Sequence, residues 1–113
     1  CTENKTLCFP ASADSIPTSL GQEDHVSMGS ISGRKFNQVL DNVERILAIE
    51  LMYACQGLEF RRPRKTSAYL EEVFTKVRAI CPKLEEDRLI GDDINNIIDL
   101  LQTDDFKKLI LSF

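Results

Sequence analysis

The sequence has no apolar run of about eighteen residues, the minimum for a membrane-crossing helix, and no basic stretch leading into a hydrophobic one at its amino end. Neither a membrane span nor a signal peptide is expected, and the chain reads as cytoplasmic. Positive charge is also in short supply, with 14 Lys and Arg against 18 Asp and Glu and a formal net charge of -4. Binding nucleic acid takes clustered excess cations that displace counterions, so that class of partner is excluded. The one basic run, RRPRK at residues 61–65, reads as a solvated helix end, where cations suit the negative pole of the dipole. Residues able to carry chemistry are equally sparse. A single histidine allows no metal-spaced histidine pair, and there is no Gly-rich phosphate loop or serine or cysteine nucleophile motif, so no metal site is expected. Four cysteines, Cys1, Cys8, Cys55 and Cys81, are scattered without C-x-x-C spacing. Cys55 sits in the most apolar helical segment and Cys81 precedes Pro82, which fits small, reduced packing residues.

What is present is helical periodicity. Residues 1–21, CTENKTLCFPASADSIPTSLG, hold no sustained period and are expected to be irregular, while residues 22–113 are expected to form a helical region. Apolar residues at Val26, Met28, Ile31, Phe36, Val39, Leu40, Val43, Ile46, Leu47, Leu51, Ala54 and Leu58 recur at three- and four-residue steps. They predict a helix that bends near Gly29 and Gly33, runs to about Phe60, and is stopped by Pro63. A further helix is predicted over residues 67–80 with Ser67 as its cap, and another over residues 92–102 capped by Asp92 or Asp93. The closing DDFKKLILSF makes a short amphipathic turn or two. The fold class is all-α, a helical bundle fragment with an irregular amino-terminal segment and one long apolar core helix.

That core helix does not suit a small free domain. Residues 46–55, ILAIELMYAC, are apolar on nearly every side apart from Glu50, and such a helix must be buried all round. The surplus surface predicts oligomerisation through this helix, or chain lying outside the sequence. Glu50 is expected to be a structural buried polar contact with a partner from elsewhere. An amino-terminal Cys1 adds the expectation that the numbering begins inside a longer polypeptide.

The stretch GQEDHVSMGS, residues 21–30, places Gln22, Glu23, Asp24 and His25 where irregular chain meets helix. Capping explains it plainly, because Ser19 or Asp24 could satisfy first-turn amides and acids complement the positive end of the dipole. The alternative is a polar cluster where a charge is held or a proton moved.

A resemblance bears on that choice. The runs ENK at residues 3–5, PASADSIPTS at 10–19 and QEDHVSMGS at 22–30 closely resemble the carboxyl-terminal part of the histidine ammonia-lyases, within the aromatic amino-acid ammonia-lyase family. RKFNQVLDNVERILAIELMYACQGLEFRRP and LEEDRLIGDDI continue the likeness over nearly the whole chain. QEDHVSM looks like the histidine-specific version of the motif. The resemblance implies elimination of ammonia from L-histidine to give trans-urocanate, in a mostly helical cytoplasmic homotetramer whose sites are assembled from several subunits. It also implies a methylidene-imidazolone cofactor formed from an Ala-Ser-Gly that lies outside this chain, so the fragment alone is expected to be inactive. By the same resemblance Glu23 is the catalytic and substrate-binding carboxylate beside the imidazole, and Gln22 is its substrate-binding neighbour. Asp24 and His25 are structural or stand one layer behind. A phenylalanine or tyrosine ammonia-lyase, an aminomutase, and a non-catalytic helical interaction module are the competing readings.

Overall fold

The computed structural model describes residues 1–11, 17–23 and 29–112. They form α1 (Thr2–Leu7), a 3-10 turn (Ser19–Gly21), α2 (Gly29–Glu59), α3 (Ala68–Ile80), α4 (Gly91–Gln102) and α5 (Asp104–Leu111). The only extended pairing among them is an isolated bridge between Thr18 and Glu23, so the class is all-α as expected. The chain divides into two compact units, Cys1–Val43 and Glu44–Phe113.

In the first unit, the stretch expected to be irregular carries the six-residue helix α1. A helix that short is unstable by itself, and no periodic pattern announces it. Its order comes from contacts with α2 instead. Asn42 Nδ2 donates to Glu3 Oε2 at 3.1 Å and to Asn4 Oδ1 at 2.8 Å. Lys35 Nζ donates to the Phe9 carbonyl at 2.6 Å and lies 5.6 Å from the centre of the Phe9 ring. Gly29 opens α2, and Gly33 lies within it. Val26 and Met28 fall outside the described residues.

The second unit is built on a core of Ala48, Cys55, Val77, Cys81, Ile97 and Phe106, each at most 2% exposed. Leu51, Met52, Val73, Phe74, Ile94 and Ile98 pack around it. Ser67 caps α3 as expected, its Oγ accepting from Leu70 N at 3.3 Å. Thr103 does the same for α5 by accepting from Phe106 N at 3.3 Å. The expected aspartate cap of α4 is not formed. Ile90 occupies the cap position with no side-chain bond, while Asp93 is buried and engaged by Arg88, with Arg88 Nη2 2.8 Å from Asp93 Oδ2.

One other expectation needs correction. The RRPRK run is not simply solvated: Arg62 Nη1 bonds both Glu71 oxygens at 3.0 and 2.9 Å, and its guanidinium lies 4.4 Å from the centre of the Phe74 ring. Arg61, Arg64 and Lys65 do remain exposed. Within this chain the segment 46–55 is left with uncovered apolar surface. Only Ala48 and Cys55 of α2 are buried, while Leu47, Ile49, Glu50 and Tyr53 are exposed, because α3, α4 and α5 are too short to surround a helix of 31 residues. Cys55 and Cys81 are free, buried thiols, in keeping with a packing role, and burial pushes the pKa of both upward.

Candidate functional site

Of the residues singled out by sequence, Gln22 and Glu23 lie at a tight reversal of the backbone. Thr18 is extended at φ -124°, ψ 174°, and the next three residues are all left-handed: Ser19 at φ 53°, Leu20 at φ 56° and Gly21 at φ 85°. Glycine adopts this region freely, whereas a side chain there costs roughly 1–2 kcal/mol per residue. Hydrogen bonding offsets that cost. The Thr18 carbonyl accepts from Gly21 N at 3.1 Å and Glu23 N at 3.3 Å, Thr18 N donates back to Glu23 O at 3.1 Å, and Gln22 N donates to Ser19 O at 3.2 Å. Glu23 therefore sits at the closed base of a loop whose tip is the fully exposed Leu20.

Gln22 and Glu23 are adjacent and exposed. The Thr18 hydroxyl lies 3.4 Å from Glu23 Oε2, a long hydrogen bond in which oxygen donates to carboxylate. Asp24 and His25 lie outside the described residues. Ser19 is inside the 3-10 turn, well before α2 begins, so it does not cap that helix. Thr18 is the residue that sequence reading missed. The available signal was a hydroxyl residue placed ahead of a glycine-assisted reversal that returns to the acid.

A carboxylate on such a base can accept a ring N–H hydrogen bond or pair with an imidazolium, and the neighbouring Gln22 amide can donate or accept. No group of three or more His, Cys, Asp or Glu among the described residues is arranged to hold a metal ion. The second unit contains a small, mostly apolar pocket of about 50 Å³ lined in part by Met52, Tyr53, Gln56, Cys81 and Leu84. Its charged neighbours Arg88 and Asp93 are already paired with one another.

Comparison with known proteins adds an independent line. A model of the aromatic amino acid lyase family matches residues 1–79. Histidine ammonia-lyase of Desulfotalea psychrophila is 48% identical over 109 residues, which is 96% of this chain and 21% of that protein. The crystal structure of histidine ammonia-lyase from Trypanosoma cruzi superimposes with a TM-score of 0.91 at 51% identity, covering 98% of this chain and 22% of that one. The ergothioneine-degrading enzyme ergothionase from Treponema denticola matches with a TM-score of 0.78 at 30% identity, over 97% of this chain and 21% of that one. The chain thus spans about a fifth of the length of these relatives. Since the family model covers well over half of its residues, the chain belongs to the aromatic amino acid lyase family.

Proposed function

We propose that this chain is one wall of the active site of a histidine ammonia-lyase, a protein that eliminates ammonia from L-histidine to give trans-urocanate. The observation that carries this reading is the likeness to the Trypanosoma cruzi enzyme, 51% identical over 98% of the chain, combined with the QEDHVSM motif. Glu23 receives the imidazole ring of the substrate, accepting its N–H or pairing with the imidazolium, and Gln22 supplies the adjoining amide. A carboxylate suits this task because it discriminates a polar ring from a phenyl ring, which would leave the charge unpaired. Asp24 and His25, which lie outside the described residues, keep the structural role that the resemblance implies.

The family's methylidene-imidazolone, built from Ala-Ser-Gly, supplies the electrophile. This chain's own residues do not fit that group. Ser32 and Gly33 follow Ile31 in the regular helix α2, and ASA at residues 11–13 ends in alanine. The tripeptide is therefore assigned to another part of the parent polypeptide, and the chain by itself is assigned no activity. The exposed apolar residues of α2, among them Phe36, Leu40, Leu47 and Tyr53, support assembly of the parent as a homotetramer through this helix. A cytoplasmic location accords with the buried free thiols of Cys55 and Cys81.

The test is ultraviolet detection of urocanate from L-histidine, run in parallel on this chain and on the complete polypeptide. Activity in the complete polypeptide alone is expected, with a selective loss of histidine turnover in its Glu23→Ala variant. A folded complete protein that leaves histidine untouched overturns the reading. Turnover of phenylalanine, tyrosine or ergothioneine in its place would redirect it to a relative of different substrate class.

A further inference from the structure

We infer that Thr18 is a positioning residue for Glu23, its hydroxyl setting the direction in which the carboxylate meets the substrate ring. The inference deepens the role proposed for Glu23 and rests on it. An exposed glutamate has three rotatable side-chain bonds, and ordering it when a ligand arrives costs free energy that weakens binding. Two features of the turn reduce that cost. The reciprocal bonds between Thr18 and Glu23, at 3.1 and 3.3 Å, hold the two α-carbons opposite each other across the bridge. The same pairing brings Thr18 Oγ1 to 3.4 Å from Glu23 Oε2, so the hydroxyl engages one carboxylate oxygen and leaves Oε1 to the ring N–H. The contact is long, as suits a bond that shortens when the substrate draws the carboxylate into place.

Three left-handed residues intervene between the partners, and at Ser19 and Leu20 that conformation is unfavourable. Without the bridge the loop would relax and carry Glu23 with it. Thr18 acts at both levels, through backbone groups that any residue retains and through a hydroxyl that only Thr or Ser provides. This separation makes the hydroxyl testable. Valine keeps the β-branch that favours the extended backbone of position 18 and keeps both backbone bonds, removing the hydroxyl alone.

The experiment uses the complete polypeptide, with kcat/KM for L-histidine followed by urocanate absorbance. The variants are Thr18→Val, Thr18→Ser, Glu23→Ala and the Thr18→Val/Glu23→Ala double variant. Thr18→Val is expected to lower kcat/KM roughly tenfold, mainly through KM, as expected for loss of a hydrogen bond to a charged group. Thr18→Ser is expected to stay near the parent value, and Thr18→Val to add nothing once Glu23 is alanine. An equal loss in both backgrounds would overturn the inference, because a residue that only holds the loop together acts whether or not the carboxylate is there. An unchanged Thr18→Val would overturn it as well. Should the valine variant fail to fold, Thr18→Ala removes the same hydroxyl and carries the same comparison. A parent protein without histidine activity would show itself before any variant is made, and that result removes the reading of Glu23 and this inference with it.

Discussion

Arg88 and Asp93 join the segment after α3 to the first turn of α4, with Arg88 Nε and Nη2 lying 3.1 and 2.8 Å from the same oxygen of Asp93. The same guanidinium donates to the carbonyls of Pro82 and Lys83 at 2.8 and 3.1 Å. One side chain thereby pairs a buried carboxylate and satisfies two carbonyls of a segment with no secondary structure of its own. Replacing Arg88 by methionine keeps most of its volume but leaves Asp93 buried without a cation. A loss of about 1–3 kcal/mol in urea-induced unfolding is expected, together with faster amide exchange over residues 82–90.

Glu71 is a contributor to acid stability at the junction of α2 and α3. Its carboxylate accepts from the Thr66 backbone N–H at 2.8 Å and Oγ1 at 3.1 Å, and pairs with Arg62 at 2.9 Å. The Thr66 amide bond, aided by Arg62 and opposed by partial desolvation, holds the Glu71 carboxyl below its ordinary pKa. A group depressed on folding adds stability above its unfolded pKa and loses that contribution as the pH falls through the folded one. Thermal melts across an acid series should show a shallower decline for Glu71→Gln than for the parent chain, alongside lower stability at neutral pH.

The four thiols should separate cleanly by reactivity. Cys1 and Cys8 are exposed, whereas Cys55 and Cys81 are buried with their thiols pushed up by desolvation, which suppresses the reactive thiolate. Brief treatment of this chain with iodoacetamide at neutral pH should modify the two exposed cysteines, and the same treatment in denaturant should modify all four. Mass spectrometry reads both. Alkylation of Cys81 in the folded chain would contradict its place in the core.

Self-association is expected of this chain in isolation. Phe36 and Leu40 of α2 are 61% and 46% exposed, and Leu47 is 49% exposed. Exposed apolar surface of this extent is uncommon on monomers. Sedimentation should show oligomers that dissociate in Leu40→Glu and Leu47→Glu variants, with folding stability altered by no more than about 0.5 kcal/mol, as for ordinary surface substitutions. A compact wild-type monomer would be the contrary result.

The helices that carry their own signals were legible in the sequence. Ser67 before the apolar steps of α3 marks its start, and Ile94, Ile97, Ile98 and Leu101 define the inward face of α4. The α4 cap was not legible, because an aspartate in a first turn reads as a cap until Arg88 is seen to take it. Nor was α1, whose order depends on Asn42 and Lys35, far along the chain. That residues 46–55 carry more apolar surface than a small helical chain covers was legible, whereas which residues stay uncovered was not. Periodicity reports that a face is apolar, and the length of the neighbouring helices decides how much of it is covered. At the candidate site, the prominence of Gln22 and Glu23 came from resemblance, and the partner Thr18 emerged only with the backbone reversal that brings it across from Glu23.

The amide of Gln56 shows how a fold can concentrate its sequence dependence. Gln56 Oε1 accepts from Leu84 N at 3.1 Å while Nε2 donates to Leu84 O at 3.0 Å, so a side chain on α2 stands in for the neighbouring strand that residue 84 lacks. Gln56 Oε1 also accepts from Arg78 Nη2 at 3.2 Å, but at residue 84 it reads only main-chain atoms, so that position can vary in side chain without altering this pairing. Position 56 has no such freedom. Glutamate would set a carboxylate against the Leu84 carbonyl, and a shorter asparagine would not span the gap. The anchor for residue 84 is thus written in a different helix, at Gln56, and the side chain at position 84 itself is released to change.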